Sequence, residues 1–114
     1  MVSDLSLDST GALVIFGITG DLARKMTFRA LYRLEARGRL NWPVIGVALD
    51  DWTDELMRQH AREALTESGQ KVSPQLFARF AGRLTYIQGD FADPATYVRL
   101  GRALEGTSQP LFYL

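Results

Sequence analysis

Apolar runs that alternate with stretches of helical spacing constrain this chain more than any other feature. Ala12-Leu-Val-Ile-Phe-Gly17 and Pro43-Val-Ile-Gly-Val-Ala-Leu49 are continuous apolar runs, Leu84-Thr-Tyr-Ile-Gln88 is a third strand, and Leu111-Phe-Tyr-Leu114 begins a fourth. Unbroken apolar runs are typical of strands covered on both faces. Parallel strands need long crossovers, and the intervening segments are helical in pattern. The order β-α-β-α-(α)-β-α-β therefore predicts an α/β fold: a doubly wound parallel sheet with helices on both faces, represented by its first four strands in the order 3-2-1-4.

The helices carry their own start and stop signals. Ala23, Met26, Thr27, Ala30, Leu31 and Leu34 recur at helical spacing, opposite a row of Arg29, Arg33 and Arg37, and Gly38 is a natural stop. Thr53 is placed to cap a helix with Asp54 and Glu55 in its first turn and Met57, Ala61, Ala64 and Leu65 as its apolar stripe. Ser73-Pro74 opens a short helix through Phe80, closed by Gly82. Asp93-Pro94 opens another through Tyr97, Leu100 and Leu104, ended by Gly106. Residues 1–11 read as a polar leader, leaving 12–114 as one unit.

Composition excludes several functions. Lys and Arg number 13 against 13 Asp and Glu, so bulk charge gives no reason to expect nucleic acid or a membrane surface as partner. There is no cysteine and a single histidine, His60, so neither disulfides nor a metal site is expected. The N-terminus lacks the basic region of a signal peptide, and no run approaches the roughly 20 apolar residues of a membrane span. The expected location is cytoplasmic.

The turn after the first strand is the candidate site. In Gly17-Ile-Thr-Gly20-Asp-Leu-Ala-Arg-Lys25, glycines let backbone approach an anion, and the first helical turn offers unpaired amides and a positive dipole end. The spacing is G-x-x-G, with Ala23 where the third glycine of G-x-G-x-x-G would fall; an ordinary tight turn is the alternative.

Phe16-Gly-Ile-Thr-Gly-Asp-Leu-Ala-Arg-Lys25 resembles the G-x-x-G-D-L-A-[KR]-[KR] motif of the glucose-6-phosphate dehydrogenases. Val44-Ile-Gly-Val-Ala48 resembles that family's second strand. Tyr86-Ile-Gln-Gly-Asp-Phe91 with Tyr97, and Leu111-Phe-Tyr-Leu114, resemble its third and fourth strand regions. The resemblance implies a Rossmann-like domain that binds NADP or NAD. Gly17, Ile18, Thr19, Gly20, Asp21, Leu22 and Ala23 would then form the pyrophosphate loop, with Arg24 adding charge. Leu49 and Asp50, and Asp90 and Phe91, would lie at the ends of strands two and three near the adenosine half. It also implies hydride transfer from glucose 6-phosphate to the nicotinamide, giving 6-phosphogluconolactone as part of the pentose phosphate pathway. The sugar phosphate is a partner of a full-length protein only, and a homo-oligomer is compatible with the family.

Two positions depart from the family pattern. Leu49, followed by Asp50 and Asp51, stands where NADP-using members usually place an arginine for the 2′-phosphate. An acidic residue there suits a free ribose 2′-hydroxyl. The residues thus lean to NAD and the resemblance to NADP, with Asp50 and Asp51 as plain loop charges a further alternative. Met26 replaces a basic residue and is expected to pack into the core.

No residue is assigned a catalytic role. The family's histidine-containing motif and its C-terminal substrate domain are absent from these residues, and His60 is expected to be a solvated surface residue. Trp42 and Trp52 are expected to pack at the ends of strand two, and Leu111 to Leu114 to leave an exposed apolar edge. A non-catalytic NAD(P)-sensing module of short-chain-dehydrogenase type is the competing reading, and the product of a shortened reading frame is a third.

Overall fold

The computed structural model describes residues 11–90, 92–105 and 109–113. Along the chain run β1 (Gly11–Phe16), α1 (Asp21–Ala36), β2 (Val44–Ala48), α2 (Asp54–Glu67), α3 (Pro74–Gly82), β3 (Leu84–Gln88), α4 (Pro94–Ala103) and β4 (Gln109–Tyr113). The four strands form one sheet in the order β3-β2-β1-β4, every pair parallel. This is the order expected from the sequence. Gly11 belongs to β1 rather than to the leader, and Gly106 and Leu114 lie outside the described residues.

Strand alternation divides the core in two. Leu13 and Ile15 of β1, Val44 and Ala48 of β2 and Leu84 of β3 face a cluster built with α1, α2 and α3. Val14, Ile45 and Val47 face the other way, against Leu100 of α4, with Phe16, Ile87 and Leu104 packed around them. Period-two alternation thus lets a wholly apolar strand serve two layers.

The helix ends follow local chemistry. The Thr53 hydroxyl accepts from the Leu56 amide at 3.1 Å, and the Asp93 carboxylate from the Ala95 amide at 3.0 Å. Gly38 takes φ +69° just past Arg37, the left-handed stop expected there. Ser73 precedes α3 without a side-chain cap; its amide instead donates to the Tyr32 hydroxyl at 3.0 Å, tying α3 to α1.

Met26 is a correction. It is 64% exposed, and Ala30 is exposed with it, whereas Phe28, Leu31, Tyr32 and Glu35 are buried. The buried arc of α1 is rotated by about one residue from the arc read in the sequence, roughly 100°. The cause is packing on α2 and α3: Tyr32 meets Phe80 edge-on at 5.6 Å, and that contact, not the sheet alone, selects the inward face. Met26, Thr27 and Ala30 instead border an open apolar groove with Leu13, Ile15 and Leu31. Leu111 and Phe112 of β4 are about half exposed, as expected for that edge. The row of Arg29, Arg33 and Arg37 is exposed, with Arg33 reaching Gln70.

Glu35 is the charged member of the buried arc, 2% exposed. The Arg83 guanidinium holds it in a two-pronged contact, and Arg79 adds a second cation at 3.6 Å. A carboxylate at that depth is tolerated only with partners. Arg83→Met should therefore cost about 3 kcal/mol in urea unfolding, and adding Glu35→Leu should restore most of it. A single-variant loss under about 1 kcal/mol, set against the usual 3–5 for an orphaned buried charge, contradicts this role.

Candidate dinucleotide site

The site begins where β1 ends. The Gly17 amide donates to the Val47 carbonyl at 2.7 Å, carrying the β1–β2 ladder one residue past the strand. Gly17 then turns at φ +76°, a conformation that favours glycine. The turn drives the Ile18 side chain inward, where it is fully buried. It fits because Gly46 of β2 has no side chain: a Cβ there would sit 2.8 Å from Ile18 Cγ2. The Gly20 amide closes the turn on the Gly17 carbonyl at 3.2 Å.

These bonds narrow the anion cradle. The amides of Gly17 and Gly20 are already donated within the protein, and Ile18 offers backbone alone. The donors left for an anion are the amides of Ile18 and Thr19 in the turn and those of the first turn of α1, beginning at Asp21 and Leu22, which have no intrahelical acceptor. Asp21, Leu22, Ala23 and Arg24 enter the site through this backbone. Gly20 is the N-cap and supplies no capping side chain, unlike Thr53 and Asp93 at α2 and α4. Its φ of −68° and ψ of 142° suit any residue, and an added Cβ would come no nearer than 3.6 Å to Gly17 O. The fold itself does not demand glycine at position 20.

Two adjoining clefts open along the carboxyl ends of the strands. One, about 320 Å³, is lined by Phe16, Gly17, Thr19, Gly20, Val47 and Asp50 among others. The second, about 620 Å³, includes Tyr86, Gln88, Asp93 and Arg99. Leu49, Gly89 and Asp90 border both. Leu49 is 67% exposed, and its side chain offers no charge to a phosphate. The Asp90 carboxylate accepts from the Ala92 amide at 2.9 Å, and its carbonyl from the Thr96 hydroxyl at 2.7 Å. Phe91 lies outside the described residues.

Asp50 joins the two sides of the crevice. The Thr19 hydroxyl, in the glycine turn, donates to Asp50 Oδ1 at 2.7 Å. The sequence placed both residues in the site but gave no sign that they touch. It also missed Tyr86, Gln88 and Arg99 as lining residues; position at the carboxyl end of the third strand was the available signal for Gln88, whereas Tyr86 sits mid-strand. Tyr86 bonds the turn that carries Asp50, its hydroxyl lying 2.6 Å from the Asp50 carbonyl and 3.1 Å from that of Ala48. Its pKa is pushed up to about 12, by burial first and then by the carboxylates of Asp50 and Asp51.

His60 departs from the expectation of a solvated residue. It is 27% exposed, its ring stacked on Trp52 at 4.2 Å, and Nδ1 lies 3.5 Å from Glu63. Trp52 packs on Tyr86 in turn, and Trp42 is buried against Gly11. Among the described residues no group of three or more His, Cys, Asp or Glu is placed to hold a metal. No helix among them is long and apolar enough to cross a membrane.

A helix terminus presented to a crevice beyond the carboxyl ends of a 3-2-1-4 parallel sheet defines a dinucleotide-binding α/β domain. The family model for glucose-6-phosphate dehydrogenase, NAD binding domain, matches residues 14–114, and the chain belongs to this family. The glucose-6-phosphate 1-dehydrogenase 1 of Mycobacterium tuberculosis (strain H37Rv) is 49% identical over 102 residues, 90% of this chain and 22% of that protein. The crystal structure of glucose-6-phosphate 1-dehydrogenase from Mycobacterium avium has a TM-score of 0.86 at 53% identity, covering 91% of this chain and 23% of that one. A glucose-6-phosphate dehydrogenase in complex with its substrate glucose-6-phosphate has a TM-score of 0.84 at 26% identity, covering 100% of this chain and 25% of that one. The chain thus spans under a third of the length of each of these relatives.

The Tyr86 phenol gives the fold a defined alkaline limit. A phenol with a higher pKa folded than unfolded contributes stability that is whole below about pH 10, the unfolded value, and is lost as pH rises towards 12. Between pH 9 and 11.5 the urea midpoint should fall further for the parent than for Tyr86→Phe. Equal falls would contradict the assignment.

Proposed function

We propose that this chain is the coenzyme-binding part of a dehydrogenase that oxidises glucose 6-phosphate at C1 to 6-phosphogluconolactone, a reaction of the pentose phosphate pathway in the cytoplasm. The carrying observation is Gly20: a glycine that its own fold does not require, at the N-cap of a 16-residue helix that opens on the crevice. The helix terminus would take the pyrophosphate, and the clefts beyond β2 and β3 the adenosine half. The nicotinamide, when bound, supplies the hydride acceptor.

The residues present would bind and orient the cofactor rather than turn substrate over. Oxidation at C1 needs a general base for the hydroxyl proton. His60, the single histidine, is committed to its stack on Trp52. The 114-residue chain is accordingly expected to bind a dinucleotide and to show no glucose-6-phosphate oxidation of its own.

The preferred dinucleotide is NAD. Asp50, oriented by Thr19, is an acceptor suited to a ribose 2′-hydroxyl and repels a 2′-phosphate, and Leu49 contributes no compensating charge. The family's usual NADP remains the competing cofactor.

Gly20→Ala should leave the urea midpoint nearly unchanged, because the fold accepts a Cβ there, and should weaken dinucleotide binding at least about tenfold by calorimetry. Unchanged binding would remove the pyrophosphate assignment. Leu49→Arg should tighten NADP about tenfold or more through a charge-assisted contact, with little effect on NAD. Equal NADP affinity in variant and parent would remove the basis for the cofactor preference.

A further inference from the structure

The turn between β2 and α2 presents Asp50 to the crevice without a core to hold it. Leu49, Asp50 and Asp51 are all exposed. Its backbone is held by polar bonds instead, and those across the sheet come from β3. The Tyr86 hydroxyl donates to the Asp50 carbonyl at 2.6 Å, with the Ala48 carbonyl at 3.1 Å as a longer second acceptor. Gln88 Nε2 donates to the Leu49 carbonyl at 3.2 Å. The Trp52 amide gives the Asp50 carbonyl a second donor at 2.9 Å. At the β3 end, the Asp54 carboxylate accepts the Tyr86 amide at 2.7 Å.

We propose that Tyr86 is a positioning residue for cofactor choice, fixing the backbone of Asp50 so that its carboxylate meets the Thr19 hydroxyl and faces the adenosine ribose. The inference rests on the reading that Asp50 accepts the ribose 2′-hydroxyl. It adds where that selectivity is stored: not in Asp50 alone, but in a relay from β3 through Tyr86 to the β2–α2 turn and on to the glycine turn. Trp52 braces the Tyr86 ring at 5.7 Å and is itself stacked on His60, so the phenol is held from behind. Gln88 is the second anchor of the same turn.

A positioning role differs from a structural one in which ligand it affects. Loss of the phenol should matter to the ligand that reads Asp50, and much less to one held by pyrophosphate contacts. The test is calorimetric titration of NAD and of NADP into the full chain, for the parent, Tyr86→Phe, Gln88→Ala, Asp50→Ala and the Tyr86→Phe/Asp50→Ala double variant. Tyr86→Phe is expected to weaken NAD about five- to tenfold, the worth of one hydrogen bond, and NADP less than about twofold. Gln88→Ala is expected to shift the ratio in the same direction by about two- to threefold, consistent with a weaker neutral bond, and serves should Tyr86→Phe fold poorly. The double variant is expected to bind NAD no more weakly than Asp50→Ala, since the phenol acts through that carboxylate.

Equal weakening of both dinucleotides by both anchor variants, or additive losses in the double variant, overturns the positioning role. If Asp50→Ala shifts the ratio and neither anchor variant does, the ribose reading stands and the positioning role falls. If Asp50→Ala leaves the ratio unchanged, the ribose reading falls and takes this inference with it.

Discussion

The hydrogen bond from the Gly17 amide to the Val47 carbonyl marks where the sheet ends and the crevice begins. It holds the first residue of the turn to the neighbouring strand, so the chain has to reverse abruptly rather than drift outward. Gly17 makes that reversal in the left-handed region, Ile18 plugs the space above Gly46, and α1 starts three residues later. This anchor sets how closely the amide terminus of α1 follows the carboxyl ends of β1 and β2.

The remaining architecture serves that relation. Parallel pairing puts all the carboxyl ends on one side of the molecule, and helices pack on both faces of its β1, β2 and β3 portion, leaving β4 half exposed. The pairing of buried Glu35 with Arg83 and the exposed Arg79, and the Tyr32–Ser73 bond, lock α1 to α3 and the turn after it. Arg58 of α2 reaches the carbonyls of Ala81 and Leu84 and fixes the entry to β3. A rigid α1, held at its far end, presents a rigid N-terminus.

The sequence made legible what local chemistry decides. Strand order followed from apolar runs separated by crossovers, Thr53 and Asp93 cap as their types predict, and Gly17 lies at the turn that needs it. What it hid depends on residues distant in the chain. The face of α1 was misjudged by one residue because Tyr32 and Phe80, 48 positions apart, settle it. The Thr19–Asp50 bond spans 31 positions and the Tyr86–Asp50 bond 36, and no periodicity encodes either. The glycine loop from Gly17 to Ala23 looked like one continuous cradle of amides, whereas those of Gly17 and Gly20 are consumed by the neighbouring strand and by the turn itself. That accounting needs the backbone in three dimensions.

The central claim is that the amide end of α1 holds the pyrophosphate of a nicotinamide dinucleotide. Amide-resolved NMR of the protein titrated with NAD tests it most directly. The account predicts the largest shift changes at Thr19, Asp21 and Leu22, with smaller ones at Asp50 and Asp90 and none in the α2–α3 connection. Saturable changes confined to another surface, with the Asp21 and Leu22 amides unmoved, would contradict it.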